Sequence, residues 1–444
     1  MTSYFSSVSH LDEAMATKLI SQKAHPLNST NDLKPLMDRI GDARVVMLGE
    51  ASHGTHEYYA WRSAITKKLI KEKGFNFIAV EGDWPDCYKI NRYIKNYKDS
   101  GESVFDILSS FRRWPTWMWA NWEIIALAEW LHKANLQLPN EKKVGFYGLD
   151  VYSLWESLAS IMEYLKRVDP KTLKVAEEAF KCFEPYKEGE GQSYARASML
   201  VPDICTSEVV LLLAEIRKKM PQYNTDHEHV FSTEQNALIA VNAEKYYRAM
   251  IHGGPHSWNI RDRHMADTME KLLDFHGKDS KAIIWAHNTH IGDARATDMV
   301  DDGTYNIGEL ARLHHHENGV VLVGFGSYSG SVIAGRSWGA EMHKINMPHA
   351  EKGSWEYLVH KAGAANKLFI MDDFTEDVFM ENHIGHRAIG VVYNPEYEQY
   401  GNYVPSNMPM RYDAFIYLDH TKALHPLHIL PDGNEVPETY PFGV

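Results

Sequence analysis

The sequence predicts an α/β fold: a three-layer α/β/α arrangement of a mostly parallel or mixed sheet with a helical insertion. Short β-rich runs recur at Arg44 to Glu50, Phe77 to Asp83, Val144 to Asp150, Ala282 to His287, Val320 to Gly326, Ala388 to Tyr393 and Ala414 to His420, most of them separated by helical stretches. Strands alternating with helices build a sheet that is covered on both faces. Between Tyr152 and Lys281 the strand signal vanishes. There Leu158, Ile161, Met162 and Leu165 hold the i, i+3, i+4, i+7 spacing of an amphipathic helix. The chain is 444 residues long, beyond the size at which a single core keeps growing. Residues 1–152 and 281–444 are therefore expected to form one α/β catalytic core, and residues 153–280 a helical insertion.

Taken in order, the first run, Val45 to Leu48, breaks at Gly49 directly into Glu50, His53, His56 and Glu57. An apolar run of that kind is a buried strand whose end delivers titratable groups to a sheet edge, where open α/β folds place their ligands. Gly49 and Gly54 permit tight turns, and Ser52 or Thr55 can cap the helix that follows, with His56 and Glu57 in its first turn. The next two runs finish in Glu81 with Asp83 and in Asp150. A later one, Ala282 to Trp285, finishes in His287, Asn288, His290 and Asp293. If these strands are parallel, their ends converge on one edge. Within the insertion, Glu188 to Gln192 reads as a soft joint, and Pro202 and Pro221 as helix ends or kinks. His314, His315 and His316 read as a solvated turn, and His383 and His386 merely precede a strand.

Composition narrows the function. Lysines and arginines number 46 against 59 acids, a net charge of -13, which favours solubility and argues against a binder of nucleic-acid phosphates. Cys87, Cys182 and Cys205 are odd in number, widely spaced and without a CxxC pair, so they signal neither a disulfide framework nor a thiolate zinc site, and a reducing cytoplasm fits best. The start MTSYFSSVSH lacks a basic region followed by an apolar stretch, and no run of 18 apolar residues occurs, so neither export nor membrane spanning is expected. No HExxH or GxxxxGK[ST] is present, which removes the usual support for a zincin and a P-loop NTPase. In Gly324 to Gly330, Ser329 stands where a dinucleotide fingerprint needs its last glycine. Water activation by histidine and carboxylate is the chemistry that the ionisable strand ends favour.

Glu50 lies three residues before His53, a spacing at which the carboxylate can accept the imidazole N–H, fix its tautomer and raise its basicity. Arg62, on the following helix, can aim back at a bound anion or oxyanion. His287 and His290 can face one ligand if their segment turns helically, and Asn288 can supply an amide donor for developing negative charge. The segment Phe111 to His132 is dense in tryptophan. Trp122 and Trp130 are expected in the core with Leu127 and Leu131, whereas Trp114, Trp117 and Trp119, in a proline-broken stretch, are placed to wall a cleft for a bulky ligand. Arg261, Asp262 and Arg263 read as helix-surface charges, or as a substrate clamp if the helix end points at the sheet.

The motifs GEASHG followed by HE, VEGDW, PTWMW with Asn121 and Glu123, GLD, NIRDRHMA, WAHNTHI and the closing YDAFIYLDHTKALHPL occur in this order over nearly the whole chain. Together they resemble the erythromycin esterase family. The resemblance implies an EreA/ChaN-like α/β fold and hydrolysis of a lactone, in which a histidine activates water against the ring ester of a macrolide without a required cofactor. By position, His53 matches the essential family histidine, Glu50 and Arg62 its neighbours, and His287 and His290 the later pair; which imidazole is the base stays open. Glu81, Asp83, Asp150, Arg261 and Asn288 are expected to support the substrate together with the tryptophans. Two alternatives use the same residues. A divalent zinc or manganese ion could be held by Glu50, His53, Glu81, His287 and His290 in a metal-dependent hydrolase. A non-enzymatic protein could bind haem or another small molecule through its histidines. The expected partner is a small-molecule ester or lactone, with no nucleic acid and no membrane.

Overall fold

Six parallel strands form one continuous side of the sheet, because the runs that build them are largely apolar and must be covered on both faces. In the computed structural model, which describes residues 13–101, 103–187, 191–201, 204–223, 226–250, 254–316 and 319–428, the strands in chain order are β1 (His25–Pro26), β2 (Val45–Leu48), β3 (Phe77–Asp83), β4 (Gly145–Asp150), β5 (Ala282–Trp285), β6 (Val320–Gly335), β7 (Met342–Met347), β8 (Lys367–Ile370), β9 (Ile384–Arg387), β10 (Tyr403–Ser406) and β11 (Ala414–Thr421). The large sheet runs β1-β8-β11-β6-β2-β5-β3-β4, with β7 hairpinned onto β6 and β9 paired with β10 in a separate ribbon. From β11 to β4 every pairing is parallel, while β8, β1 and β7 add antiparallel edges.

Strand alternation sorts the buried side chains into two cores, one on each face. Val46, Leu48, Ile78, Val80, Ile283 and Trp285 face one side, where they pack with Ile65 and Leu69 of the helix His56–Lys73 and Leu127 and Leu131 of the helix Trp122–Leu136. Val45, Met47, Phe77, Ala79, Ala282 and Ile284 face the other, against Met265, Met269, Leu272 and Leu273 of the helix Pro255–His276. Each fully buried aliphatic side chain contributes roughly 1.5–3 kcal/mol, so a single truncation such as Leu48→Ala is enough to threaten the layer. The fold is therefore a three-layer α/β/α arrangement.

Every regular element among the described residues from Tyr152 to Lys281 is helical or 3-10. Leu158, Ile161 and Leu165 lie in a third core, shared by the helices Leu154–Val168, Pro170–Phe183, Gln192–Leu200, Thr206–Lys219 and His227–Met250. The last helix of the stretch, Pro255–His276, packs on the sheet instead. Pro221 sits in a 3-10 turn directly after the helix Thr206–Lys219, whereas Pro202 and residues 188–190 of the expected joint lie outside the described residues. No helix of the described residues is long and apolar enough to cross a membrane.

Four expectations are corrected. Ala388 to Tyr393 is not a strand: β9 ends at Arg387, and Ile389 and Val392 make only isolated bridges, to Ser52 and Gly335. His314 and His315 do not form a turn; they end the helix Ile307–His315, and His315 Nε2 lies 2.7 Å from Glu270. Trp122 and Trp130 are only half-buried: Trp130 packs against the core that holds Leu127 and Leu131, beneath Lys67 and Lys71, whereas Trp122 lies against Phe105. Cys182 and Cys205, 23 residues apart, are joined in a disulfide that staples the helical core. Such bonds persist in oxidising surroundings, so the cysteines lend no support to the expected reducing cytoplasm.

Candidate active site

The strands β2, β5, β3 and β4 are neighbours in that order, and they stop almost level: Leu48 pairs with Trp285, Trp285 with Val80, and Val80 with Gly148. Each then releases an ionisable residue at the same edge, namely Glu50, His287, Glu81 and Asp150. A bulge in β3 between Val80 and Asp83 re-aims that strand's end, a common device beside active sites. Gly49 is required where it stands, because a Cβ there would lie 2.1 Å from the Asn288 side-chain oxygen.

At this edge a cavity of about 390 Å³ is lined by His53, Glu81, Asp83, Asp150, Arg261, His287 and His290, with Trp114, Trp119 and Tyr152 among its walls. Its volume suits a small organic molecule. His53 Nδ1 lies 2.9 Å from Glu50 Oε1; an ionised carboxylate only accepts, so the ring's proton sits on Nδ1 and Nε2 keeps its lone pair. Nε2 lies 3.9 Å from Glu81 Oε1. Glu50 is itself held by Arg62 at 2.6 Å. His287 has the opposite polarity. It caps its own short helix by accepting the Thr289 backbone N–H at Nδ1, 3.3 Å away, with the Thr289 hydroxyl at 2.8 Å. Its proton is therefore on Nε2, a buried nitrogen that the Ala51 backbone approaches without closing a well-formed hydrogen bond. Burial, and then the neighbouring His53 ring, hold its pKa well below the usual imidazole value, so it stays neutral. The two rings lie 4.9 Å apart.

Arg261 joins the other groups. Its Nε and Nη2 donate to Asp150 at 2.9 and 2.6 Å, and Nη2 also donates to Glu81 Oε1 at 2.7 Å. Glu81 Oε2 accepts the His287 backbone N–H at 2.8 Å. Burial opposes ionisation of Glu81, but His290, His53 and Arg261 hold its carboxyl well below the usual range. His290 rests against Trp258, ring centroids 4.5 Å apart, with Nδ1 2.9 Å from Asp262. Burial works against charge on His290, yet the carboxylates of Asp262 and Glu81 outweigh it and lift the ring to about 9. Arg261 Nη1 stands 2.9 Å from His290 Nε2 and Glu81 Oε1 stands 3.4 Å from it. The guanidinium can donate only to a neutral ring, so charging His290 exchanges the Arg261 contact for the Glu81 one. Burial, opposed by Arg113 and reinforced by Asp150, pushes Asp83 up to about 7, and its Oδ1 has no hydrogen-bond partner.

Several expected roles are not the ones the geometry gives. Arg62 is fully buried and does not line the cavity; it is sandwiched by Tyr59 and Trp285 and spent on Glu50. Asn288 cannot serve an oxyanion, since its amide nitrogen is taken by Phe325 O and His386 and its oxygen by Phe325 N–H. Trp117 is wholly buried behind Trp114 rather than in the wall. The metal set Glu50, His53, Glu81, His287 and His290 does not meet at one point: Arg261 already donates to Glu81 Oε1 and stands against His290 Nε2, and Glu50 is held by His53 and Arg62. Among the described residues, three ligand atoms within 4.8 Å of one another occur instead at His56, Glu123 and His425 and at Glu270, His314 and His315. The residues here do not fit a resident ion.

Sequence reasoning missed Trp258 and Thr289 and undervalued Asp262. Trp258, Arg261 and Asp262 have the i, i+3, i+4 spacing of one helical face, a signal that could have found them. It also passed over the buried His386–Glu356 pair, 2.6 Å apart, that backs Asn288.

The family model for erythromycin esterase matches residues 70–421. An erythromycin esterase type II from Escherichia coli is 23% identical over 382 residues, covering 80% of this chain and 87% of that protein. The fold is shared with a solved succinoglycan biosynthesis protein, at a TM-score of 0.76 and 21% identity over 93% of this chain and 98% of the other. It is shared also with an erythromycin esterase mutant in its open conformation, at 0.67 and 15% over 91% and 96%. With most of its length, from the start of β3 to the end of β11, inside that match, this chain belongs to the erythromycin esterase family.

Proposed function

We propose that this protein hydrolyses a carboxylic ester, with a lactone such as a macrolide ring ester as the leading substrate class. One observation carries the reading: two imidazoles of opposite polarity, a lone pair on His53 Nε2 and a proton on His287 Nε2, border a single cavity. His53 takes a proton from water as the water oxygen attacks the carbonyl carbon. The tetrahedral oxyanion accepts the His287 Nε2–H, and the imidazolium of His53 is stabilised by Glu50 and Glu81. When the C–O bond breaks, the proton passes from His53 to the departing alkoxide, giving acid and alcohol. A positioned base is typically worth about 10²–10⁴-fold and an oxyanion donor about 10²–10³-fold.

The test is a panel of macrolide lactones and simpler esters incubated with wild type and His53→Ala, read by mass spectrometry for addition of one water. Conversion by wild type and not by the variant supports the assignment. A variant that keeps more than half the activity sinks it.

A further inference from the structure

Three residues after His53, the same turn presents a second cluster that the esterase chemistry does not use. His56 Nδ1 and His425 Nδ1 each lie 2.6 Å from Glu123 Oε1. The two rings are 5.1 Å apart, edge to face. Glu123 is buried, and its second oxygen, Oε2, has no hydrogen-bond partner. A buried carboxylate oxygen without a donor costs stability unless something else satisfies it. We propose that His56, Glu123 and His425 form a binding site for a divalent late transition metal, zinc in the first instance.

Two imidazole nitrogens and a carboxylate make the borderline N/O donor set that zinc accepts, and a fourth position is left for water. Around zinc such donors sit at about 2.0–2.2 Å, hence about 3.3 Å from one another. The two present contacts would have to open by less than about 1 Å. Each ring would move its proton to Nε2 and offer Nδ1. The carboxylate would keep its charge against the ion, and Oε2 would gain a partner.

Position gives the site a purpose. His56 opens the helix His56–Lys73, Glu123 lies in the first turn of the helix Trp122–Leu136, and His425 follows β11. The backbone already draws these segments together, through His56 N–H to Lys422 O and Trp122 N–H to His425 O. An ion here would tie the closing segment of the described chain to the turn that carries His53 and to the stretch that carries Trp119. It would stiffen the cavity without touching the substrate.

The experiment is a titration of chelator-stripped full-length protein with zinc against a chromophoric chelator, in a Glu270→Gln background that disables the other three-donor group. One tightly bound zinc per chain is expected, with affinity falling at least about tenfold in Glu123→Gln and in His425→Ala, and a zinc-dependent rise in Tm that both variants lose. Should Glu123→Gln fail to fold, His425→Ala decides, since its ring is one-third exposed. Absence of stoichiometric zinc in the parent, or unchanged affinity in the folded variants, overturns the proposal.

Discussion

Glu81 and Glu228 are both buried carboxylates held below their ordinary pKa, yet only one stands at a cavity where chemistry can happen. Glu228 receives Lys95 at 2.6 Å, Asn91 and Tyr97 at 2.9 Å and Tyr147. Against burial, Lys95 and these hydrogen bonds bring it down to about 2. Its direct partners are a lysine, an amide and two phenols, and it ties the helix His227–Met250 to the sheet. Glu81 receives one fixed cation, Arg261, and stands near two imidazoles whose protons can move. A shifted pKa therefore marks a paired carboxylate. A shifted pKa beside groups that change protonation, on a cavity wall, marks a candidate active site.

The sharpest way to break this contrast is His53→Ala, which should lower kcat/KM by about 10²–10⁴-fold while leaving the thermal unfolding curve near wild type. Next come Arg261→Met and Lys95→Met. Each strands a buried carboxylate and should cost about 3–5 kcal/mol in denaturant unfolding, but only the first should also abolish turnover in the surviving folded protein. Equal loss of activity in both would dissolve the distinction.

The Cys182–Cys205 bond offers a smaller test, confined to the helical core. Cys182→Ser should cost about 3 kcal/mol, the loop-entropy value for a closed loop of that length, without changing KM. A further test is a pH slope. Asp83 has its folded pKa raised to about 7, so its contribution to stability is fully present below about pH 4, the unfolded value, and is lost as the pH rises through 7. Asp83→Asn removes that slope. The Tm difference, variant minus wild type, should grow between pH 4 and 7 and level off above.

The strand ends were legible in the sequence because Val45 to Leu48 and Ala282 to Trp285 are apolar without interruption and then turn abruptly ionisable. What could not be read was direction. Arg62 and Asn288 have the right chemistry nearby, but one faces Tyr59 and Trp285 and the other β6, choices made by packing across the sheet. β7 and β8 escaped notice for a different reason: MHKINM puts polar side chains outward at an edge, and KLFI is too short to register. The helical face of Trp258, Arg261 and Asp262 joins the site from a helix that the sequence assigned to the insertion.

That shared face makes the helix Pro255–His276 a single shaft turning three keys: the ring under His290, the guanidinium between Asp150 and Glu81, and the carboxylate on His290 Nδ1. Adding or deleting one residue near its start would rotate all three by about 100° together. Length changes in the four helices from Leu154 to Lys219 would leave these three side chains in place. The reach of the site is thus set by the phase of one helix rather than by the bulk of the helices that precede it.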